Sequence, residues 1–504
     1  MSEAFSYDLV QYPSLVHAQL HPARLAAIAR LHGVAAASPG TANVLEVGCG
    51  DGLQLLALAQ AYPRARFTGI DLSATAIARG ERLRAELGLD NLHLIAADLL
   101  EWQPPGAACD YIVAHGFYSW VPPQVRERLM QLCGTLLAPG GVACISYNTL
   151  PGGHLRRMLW EIMRFHAGDE GDAGSRVARA LECLDLLEAG MPEGERYTRV
   201  MDEEIAALRK RLDPGVLFHD DLAAINEPFT LDQFVRHARG HDLEFLAEAS
   251  YHEMSLQQLG EGVRGLLEEI GRDDPVSREQ YLDFMKGRRF RQTLLCRAQA
   301  RPRAGADASA VAGLHLATRL QAEAGPAAAG PRQYRHPSSG NLATADAVLQ
   351  AMLDACIAGG EQALPVQALL DAARAKAGSN NSRDQDLART CDALLQAYAA
   401  GLVDLQCDPA GFAARVPEYP VASPLARVQA ADGQRWIASL RLHMLEIPDP
   451  TLRRLLLALD GSRGLVELHA FAARECGVDD ADTVDGALRS FARMALLCAA
   501  DVDG

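Results

Sequence analysis

Short apolar runs alternate with segments of helical periodicity in the first part of the chain. These runs lie at residues 44–47, 67–71, 92–97, 110–114 and 142–146. Apolar runs of this length, separated by helical segments, are typical of strands that are buried in an α/β sheet. The pattern therefore predicts a doubly wound, Rossmann-like sheet at the N-terminal end of the chain.

A glycine-rich turn follows the first of these strands. Gly48, Gly50 and Gly52 lead directly into a helical segment at 53–59. Because glycine has no side chain, a ligand can lie against the backbone and the N-terminus of the helix. The spacing G-x-G-x-G differs from the G-x-G-x-x-G of dinucleotide binders, which disfavours NAD and FAD. Taken alone, the motif is also compatible with a tight turn that binds nothing.

Acidic residues end the next two strands. Asp71 follows the glycines by about 20 residues, where a doubly wound fold places the carboxylate that binds ribose hydroxyls. Asp98 follows the third strand, and His115 follows the fourth. Each acid could instead be a helix cap or a loop residue. The order and spacing of all these elements together make residues 40–150 resemble a class I S-adenosylmethionine-dependent methyltransferase.

This resemblance implies S-adenosylmethionine as the cofactor and a role for each matching residue. The glycine loop would hold the methionine end of the cofactor, with Glu46 steadying the loop. Asp71 would accept hydrogen bonds from the ribose, and Asp98 would bind the adenine amino group. Cys49 is interpreted as a small packing residue rather than a nucleophile. The expected cofactor-binding residues are Glu46, Gly48, Cys49, Gly50, Gly52, Asp71, Leu72, Ala97, Asp98, Leu99 and His115.

Aromatic and hydroxyl side chains cluster where the methyl acceptor is expected. Catalytic candidates lie after the fourth and fifth strands, namely His115, Tyr118, Trp120 and Tyr147. A lysine amine must be neutral to attack, and such groups favour the neutral form by desolvation and proton acceptance. The alternative for the aromatic residues is packing between domains. Residues Tyr7, Asp8, Tyr12 and Pro13 are expected to form an N-terminal lid over the cofactor.

The chain of 504 residues is too long for one core and predicts about three domains. We expect a methyltransferase domain with its lid at 1–165, a mainly helical domain at 170–298 and an α+β domain at 300–504. Motifs at 217–222, 226–234, 243–249, 280–284 and 288–295 resemble the methyltransferase regulatory domain. The region from about 340 is similar to the winged-helix-like tail of bacterial lysine methyltransferases that modify an outer-membrane protein.

Composition excludes several other classes of protein. The formal net charge of −16 argues against a large nucleic-acid surface. No apolar run approaches the ~20 residues of a membrane span. Eleven scattered cysteines without C-x-x-C pairs, and an N-terminus without signal-peptide features, predict a cytoplasmic protein. The histidine pairs 17/21 and 237/241 are interpreted as ordinary side chains, so no metal is expected.

The identity of the acceptor stays open between two kinds of enzyme. Ala114-His115-Gly116-Phe117-Tyr118 stands where many base-methylating enzymes carry Asn-Pro-Pro-Tyr, which disfavours a nucleic-acid substrate. Methylation of lysines on an unfolded or exported protein is favoured by the resemblance. A small-molecule O- or N-methyltransferase is the alternative, and a non-catalytic scaffold that senses the cofactor is a third hypothesis. A homodimer is also left open.

Overall fold

The structure is a computed structural model in which residues 8, 10–104, 106–210, 213–323 and 331–499 are described. A seven-stranded sheet forms its centre, in the order β3-β2-β1-β4-β5-β7-β6. The strands are β1 (Asn43–Val47), β2 (Arg66–Asp71), β3 (Leu92–Ala96), β4 (Cys109–Ala114), β5 (Leu137–Asn148), β6 (Leu243–Glu248) and β7 (Phe290–Arg297). The first five run parallel, and β7 is antiparallel to both neighbours. The predicted α/β fold is confirmed.

Helices cover the sheet and begin at residues suited to helix starts. In this part of the chain they are α1 (Pro22–Leu31), α2 (Leu53–Ala61), α3 (Ala74–Glu86) and α4 (Pro123–Leu136). The Ser73 side chain accepts a hydrogen bond from the Ala76 amide and so caps α3. Gly80 lets α3 pack directly on the glycine turn, because a Cβ there would lie 2.1 Å from the Asp51 carbonyl oxygen. No helix within the described ranges has the length and apolar character that crossing a membrane requires.

The middle of the chain is less separate from the sheet than the sequence suggested. It contains α5 (Gly153–Ala167), α6 (Ala173–Gly190), α7 (Arg196–Arg209), α8 (Leu231–Arg239), α9 (Glu261–Asp273) and α10 (Pro275–Lys286). Helices α5 to α7 share a small apolar core that includes Leu159, Leu184 and Ile205. Strands β6 and β7 come from the same segment but pair into the central sheet. β7 joins the sheet beside β5 because the backbone hydrogen-bonding groups along that edge of β5 would otherwise be unpaired.

The C-terminal part divides into two packing units. The first contains β8 (His315–Thr318), β9 (Gln321–Ala322), β10 (Arg332–His336), β11 (Gly340–Thr344), β12 (Leu364–Pro365), β13 (Val403–Gln406), α11 (Ala347–Ala358), α12 (Val366–Ala377) and α13 (Arg383–Ala399). Its buried residues Leu316, Leu370 and Leu405 belong to the same core as β1 to β5. The core is therefore continuous across residue 300, and the three-domain division stays a prediction.

A second core forms near the C-terminus. It is built by α14 (Pro424–Ala431), α15 (Pro450–Leu457), α16 (Leu465–Phe471), α17 (Ala481–Arg493), β14 (Trp436–Ala438) and β15 (Met444–Glu446). Ile437, Leu456 and Phe491 are buried in it. This compact mixture of short helices and a two-stranded sheet agrees with the α+β unit expected at this end of the chain.

Candidate functional site

A cavity of about 700 Å³ opens at the carboxyl ends of β1, β2, β4 and β5. Ligands of open α/β sheets bind at this edge, in the crevice where the strand order reverses. The volume lies within the range of about 300–1,000 Å³ typical of small-molecule sites. Seven of the predicted catalytic and cofactor-binding residues line the cavity, namely Glu46, Gly48, Cys49, Gly50, Asp71, His115 and Trp120.

The glycine turn has the backbone geometry that its sequence requires. Gly48, Gly50 and Gly52 have φ angles of 73°, 58° and 73°, in the left-handed region that favours glycine. A Cβ on Gly48 would lie 2.7 Å from the Phe117 ring, and one on Gly52 would lie 2.6 Å from Leu94. A Cβ on Gly50 would meet no heavy atom of the described residues within 4 Å. Gly50 is therefore the position of the three that leaves its backbone open to a ligand.

Asp71 and Glu46 form the acidic part of the cavity wall. The Asp71 carboxylate accepts hydrogen bonds of 2.8 Å from the backbone amides of Gly50 and Ser73. These bonds fix the carboxylate beside the glycine turn, while burial raises its pKa. Burial raises the pKa of Glu46 to about 8, with further contributions from the negative charges of Asp71 and Asp51. Glu46 is therefore protonated at neutral pH in the free protein.

The N-terminal segment lies across this end of the cavity. Asp8 accepts hydrogen bonds from the hydroxyls of Ser73 (2.6 Å) and Thr75 (2.7 Å). Ser14 donates to the Asp51 carboxylate, and the His17 amide donates to the Gln54 side chain at 2.8 Å. Tyr12 and Pro13 line the cavity, in the position expected of a lid. Tyr7, also expected there, lies outside the described residues.

Aromatic rings line the other end of the cavity. His115 lies 4.2 Å from His17 and 5.9 Å from Phe290, measured between ring centroids. Burial lowers the pKa of His115 to about 3, with a smaller contribution from His17, and burial also lowers the pKa of His17. Both rings are therefore neutral at neutral pH. His115 Nδ1 and Trp120 Nε1 are buried without a hydrogen-bond partner among the described residues, which suits a polar ligand beside them.

Tyr118 and Tyr147 lie elsewhere than the sequence analysis expected. Both are buried, with exposed fractions of 2% and 0%, and neither lines the cavity. The Tyr118 hydroxyl lies 2.7 Å from His237 Nδ1, and the Tyr147 ring stacks on Phe234 at 4.2 Å. The physical reason is that α8 covers both rings, so that they serve as core residues of the described structure. Their assignment as catalytic residues is not supported by this geometry.

The residues expected around adenine lie at the edge of the site. Leu72 is half exposed and follows Asp71, while Leu99 is buried in the core. Asp98 accepts a hydrogen bond from the Leu100 amide at 2.9 Å, and the Ala97 amide donates to the Asp71 carbonyl oxygen. The cavity lining includes none of these four residues, nor Gly52. Their roles in binding the cofactor stay predictions.

Other cavity residues come from distant segments of the chain and were not predicted from the sequence. They include His17, Arg156, Arg157, Trp160, Asp220, Asn226, Arg289 and Phe290. Asn226 accepts a hydrogen bond of 2.7 Å from the Asn148 side chain at the end of β5. Phe290 reaches the cavity because β7 pairs with β5 in the register Asn148↔Phe290. Such long-range pairing leaves no local signal, although 288–295 did stand out as a regulatory-domain motif.

Comparisons with known families match three parts of the chain. A methyltransferase domain matches residues 44–141, which contain the glycine turn and Asp71. A predicted methyltransferase regulatory domain matches 213–297. The C-terminal winged helix domain of PKMT matches 418–477, within the second core. These matches confirm the methyltransferase and regulatory-domain resemblances found in the sequence.

Individual proteins match the chain over longer stretches. The uncharacterized protein RP028 of Rickettsia prowazekii is 32% identical over 242 residues, which cover 48% of this chain and 96% of that protein. RP789 of the same species is 34% identical over 291 residues, or 58% of this chain, and the chain spans about half (52%) of its length. The structure of PKMT2 from Rickettsia typhi in complex with AdoHcy has the same fold. Its TM-score is 0.84 at 24% identity, and the match covers 96% of this chain and 99% of that one. The chain belongs to the family of S-adenosylmethionine-dependent methyltransferases that combine a methyltransferase domain, a methyltransferase regulatory domain and a PKMT C-terminal winged helix domain.

Proposed function

We propose that the chain transfers the methyl group of S-adenosylmethionine to lysine ε-amines of a protein substrate. The observation that carries the proposal is a single cavity with two different ends, large enough for a cofactor and an acceptor side chain together. One end has the open backbone of Gly50 and the fixed carboxylate of Asp71. The other end has the neutral rings of His17 and His115. Methyl transfer between the two ends is the reaction that this arrangement supports best.

The acidic end suits the cofactor as the sequence predicted. Asp71 would accept hydrogen bonds from the ribose hydroxyls, and the turn at Gly48 and Gly50 would contact the methionine part. Glu46 would lie near the amino group of the cofactor, since it lines the same wall as Gly48. When bound, the sulfonium of S-adenosylmethionine supplies an electrophilic methyl group. The protein then has to position a nucleophile and exclude water, and positioning can contribute roughly 7–11 kcal/mol.

The aromatic end suits a lysine side chain. A free lysine has a pKa of about 10.4, so neutralising it at pH 7 costs about 4–5 kcal/mol. Burial against His115, Trp120 and Phe290 would reduce that cost by desolvating the ammonium form. The two neutral imidazoles add no positive charge beside the sulfonium or the incoming amine. Asp220, which also lines the cavity, is our candidate to accept the lysine proton.

Further features support a protein substrate in a reducing compartment. The matched winged helix domain and the similar Rickettsia typhi structure both belong to PKMT proteins, that is, protein lysine methyltransferases. The eleven cysteines form no disulfide within the described residues, which fits the cytoplasm. We further propose that the substrate is unfolded or exported. The homodimer considered from the sequence stays a prediction, which light scattering would test.

Transfer of labelled methyl groups to cell proteins tests the proposed reaction. The chain is incubated with methyl-labelled S-adenosylmethionine and a protein extract, native or unfolded in urea and diluted. We expect label on lysine Nε, located by mass spectrometry, and more of it on the unfolded proteins. An extract whose lysines have been acetylated is the matched control, because an acetylated amine is no longer a nucleophile.

Label only in metabolites, or only in base-labile esters, would instead support the small-molecule or O-methyl alternative. A chain that binds the cofactor and transfers nothing would be the sensing scaffold.

Glu46 gives cofactor binding a pH dependence. Burial raises its pKa to about 8 in the free protein, and the cationic cofactor beside it would lower that pKa. Binding therefore releases a proton below pH 8, so the affinity rises with pH from about 6 to 8 and then levels off. We expect Glu46→Gln to remove this rise while it preserves binding at pH 6, because glutamine resembles the neutral acid.

Calorimetry across this pH range measures the effect, and repeating it in buffers of different ionisation enthalpy counts the released protons. The α-amino group of the cofactor titrates in the same range, at about 7.7–8.0 for a free α-amino group. That contribution is common to wild type and variant, so the difference between the two profiles isolates Glu46. Identical pH profiles for the two proteins would contradict the assignment.

A further inference from the structure

Two histidines and a glutamate converge on the outer face of α4 and the end of α8. His237 lies in the last turn of α8, and His241 lies in the turn that follows the helix. Their Nε2 atoms lie 3.0 and 3.1 Å from the two carboxylate oxygens of Glu127 on α4. One ligand atom of each residue lies within 4.8 Å of the others. We propose that Glu127, His237 and His241 bind a divalent transition-metal ion, with Zn²⁺ as the best match.

The donor set and its spacing suit this ion. Zinc binds imidazole nitrogen at about 2.0–2.1 Å and carboxylate oxygen at about 2.0–2.2 Å, so adjacent ligand atoms of a tetrahedron lie about 3.3 Å apart. Each histidine Nε2 already lies near that distance from one carboxylate oxygen of Glu127, His237 at 3.0 Å from Oε2 and His241 at 3.1 Å from Oε1. Three protein ligands would leave the fourth position to water. Glu127 is mostly exposed and the histidines are partly exposed, so an ion can reach the cluster from solvent.

A buried hydroxyl supports the ligand geometry independently. The Tyr118 hydroxyl lies 2.7 Å from Nδ1 of His237, on the side of the ring opposite the cluster. Histidines that bind metals usually donate their second ring N–H to such a partner, which fixes the tautomer and the ring orientation. Tyr118 is itself held by edge-to-face contacts with Phe229 and Phe234 at 5.0 and 5.1 Å. His237 is therefore oriented by the core before any ion binds.

The neighbouring arginines have acceptors of their own. Arg126 pairs with Glu227, Arg128 with Gln131 and the Trp102 carbonyl oxygen, Arg236 with Asp232, and Arg239 with Glu244. The only ion pairs recorded for Glu127 within the described residues are those with His237 and His241. A bound cation would therefore displace no arginine. It would replace two histidine–carboxylate hydrogen bonds by three metal–ligand bonds.

The cluster is connected to the cavity through the loop that follows β4. Tyr118 lies between His115 and Trp120 in the chain, and both of these residues line the cavity. An ion that holds His237 would, through the hydroxyl of Tyr118, restrain this loop. An ion at the proposed site would thus support, from outside, the loop that lines the cavity, and binding of the metal does not depend on the proposed reaction.

Cobalt binding by the full-length chain tests the proposal. Co²⁺ replaces Zn²⁺ in tetrahedral sites and gives visible d–d absorption, which Zn²⁺ abolishes by displacement. We expect stoichiometric binding without cobalt–thiolate charge-transfer absorption, because the ligands are nitrogen and oxygen. Glu127→Gln and His241→Gln should each weaken Co²⁺ binding at least tenfold. His252→Gln is the matched control, since His252 is also an exposed histidine beside a carboxylate, that of Glu253 at 3.7 Å.

Thermal unfolding gives a second readout that also reports folding. Zn²⁺ should raise the unfolding midpoint of the wild type and of His252→Gln but not of Glu127→Gln. In the absence of metal, Glu127→Gln should have the same unfolding midpoint as the wild type, because the Glu127 side chain is 62% exposed. Equal Co²⁺ affinity in all the proteins, or a thiolate absorption band, would overturn the proposal, as would a wild type that binds neither ion.

Discussion

Asp71→Ala is expected to weaken the binding of S-adenosylmethionine by a factor of about 10²–10⁴. Each hydrogen bond from a ribose hydroxyl to this carboxylate contributes about 1.5–3 kcal/mol, and we expect two such bonds. The carboxylate is also fixed in place before the cofactor binds, since the amides of Gly50 and Ser73 both donate to it. The variant should therefore bind the nucleoside part of the cofactor more weakly. Calorimetry with S-adenosylhomocysteine measures it.

Asp110→Ala is the matched control for this measurement. Asp110 also accepts a backbone hydrogen bond at 2.8 Å, from Asn43. It lies at the amino end of β4, however, and the cavity opens at the carboxyl ends of the strands. Its replacement should leave the affinity within about twofold of the wild type, since it removes no contact with the cavity. Asp71→Asn adds a finer test, because asparagine keeps one acceptor oxygen and should retain part of the binding. Unchanged affinity in Asp71→Ala would contradict the ribose assignment.

The end of the cavity that the glycine turn and Asp71 line could be predicted because its signals are local. A strand, three glycines and a helix follow one another without interruption from Asn43 to Ala61, and backbone φ angles explain the glycines. Asp71 ends the neighbouring strand, which is placed beside β1 by the same short helical connection. Sequence spacing and sheet geometry therefore determine this half of the cavity together.

The acceptor end could not be predicted, because distant segments build it. The fourth and fifth strands were recognised, but nothing in Tyr118 or Tyr147 reveals that α8 will cover them. Phe234 stacks on Tyr147 and contacts Tyr118 across more than 80 intervening residues. Phe290 enters the cavity through an antiparallel strand that the sequence did not assign to the sheet. Of the four residues predicted after these strands, His115 and Trp120 line the cavity. Tyr118 and Tyr147 lie in the core, and only the fold reveals this.

The same added strand carries a buried charge whose loss should destabilise the whole chain. Arg291 on β7 is fully buried and donates two hydrogen bonds of 2.8 Å to Asp283, and it also donates to Glu248. Arg291→Met would leave both carboxylates buried without their main partner. Breaking a buried ion pair in this way costs about 3–5 kcal/mol, so we expect a loss of that size in the free energy of unfolding at pH 7. Urea unfolding followed by circular dichroism measures it.

Arg209→Met is the surface control for this variant. Arg209 also pairs with two acids, Asp185 and Glu188, but both acids are exposed to solvent and Arg209 is partly exposed. Its loss should cost less than about 1 kcal/mol. The double variant Arg291→Met with Asp283→Asn should recover part of the stability, because one of the unpaired charges is removed. Equal stability of Arg291→Met and the wild type would contradict the assignment.

The penalty in Arg291→Met should also shrink as the pH falls. Burial raises the pKa of Asp283 to about 6 even though Arg291 and Arg288 lower it, and without Arg291 it should rise further. A carboxyl group whose pKa is higher in the folded protein than its unfolded value of about 3.9 destabilises the fold where it is ionised. That cost is present in full above the folded pKa. It is relieved as the pH falls from the folded pKa to about pH 4, because the carboxyl group then binds a proton. The stability gap between variant and wild type should therefore be largest at pH 7–8 and smaller at pH 5. A gap independent of pH would mean that lost packing, rather than unpaired charge, destabilises the variant.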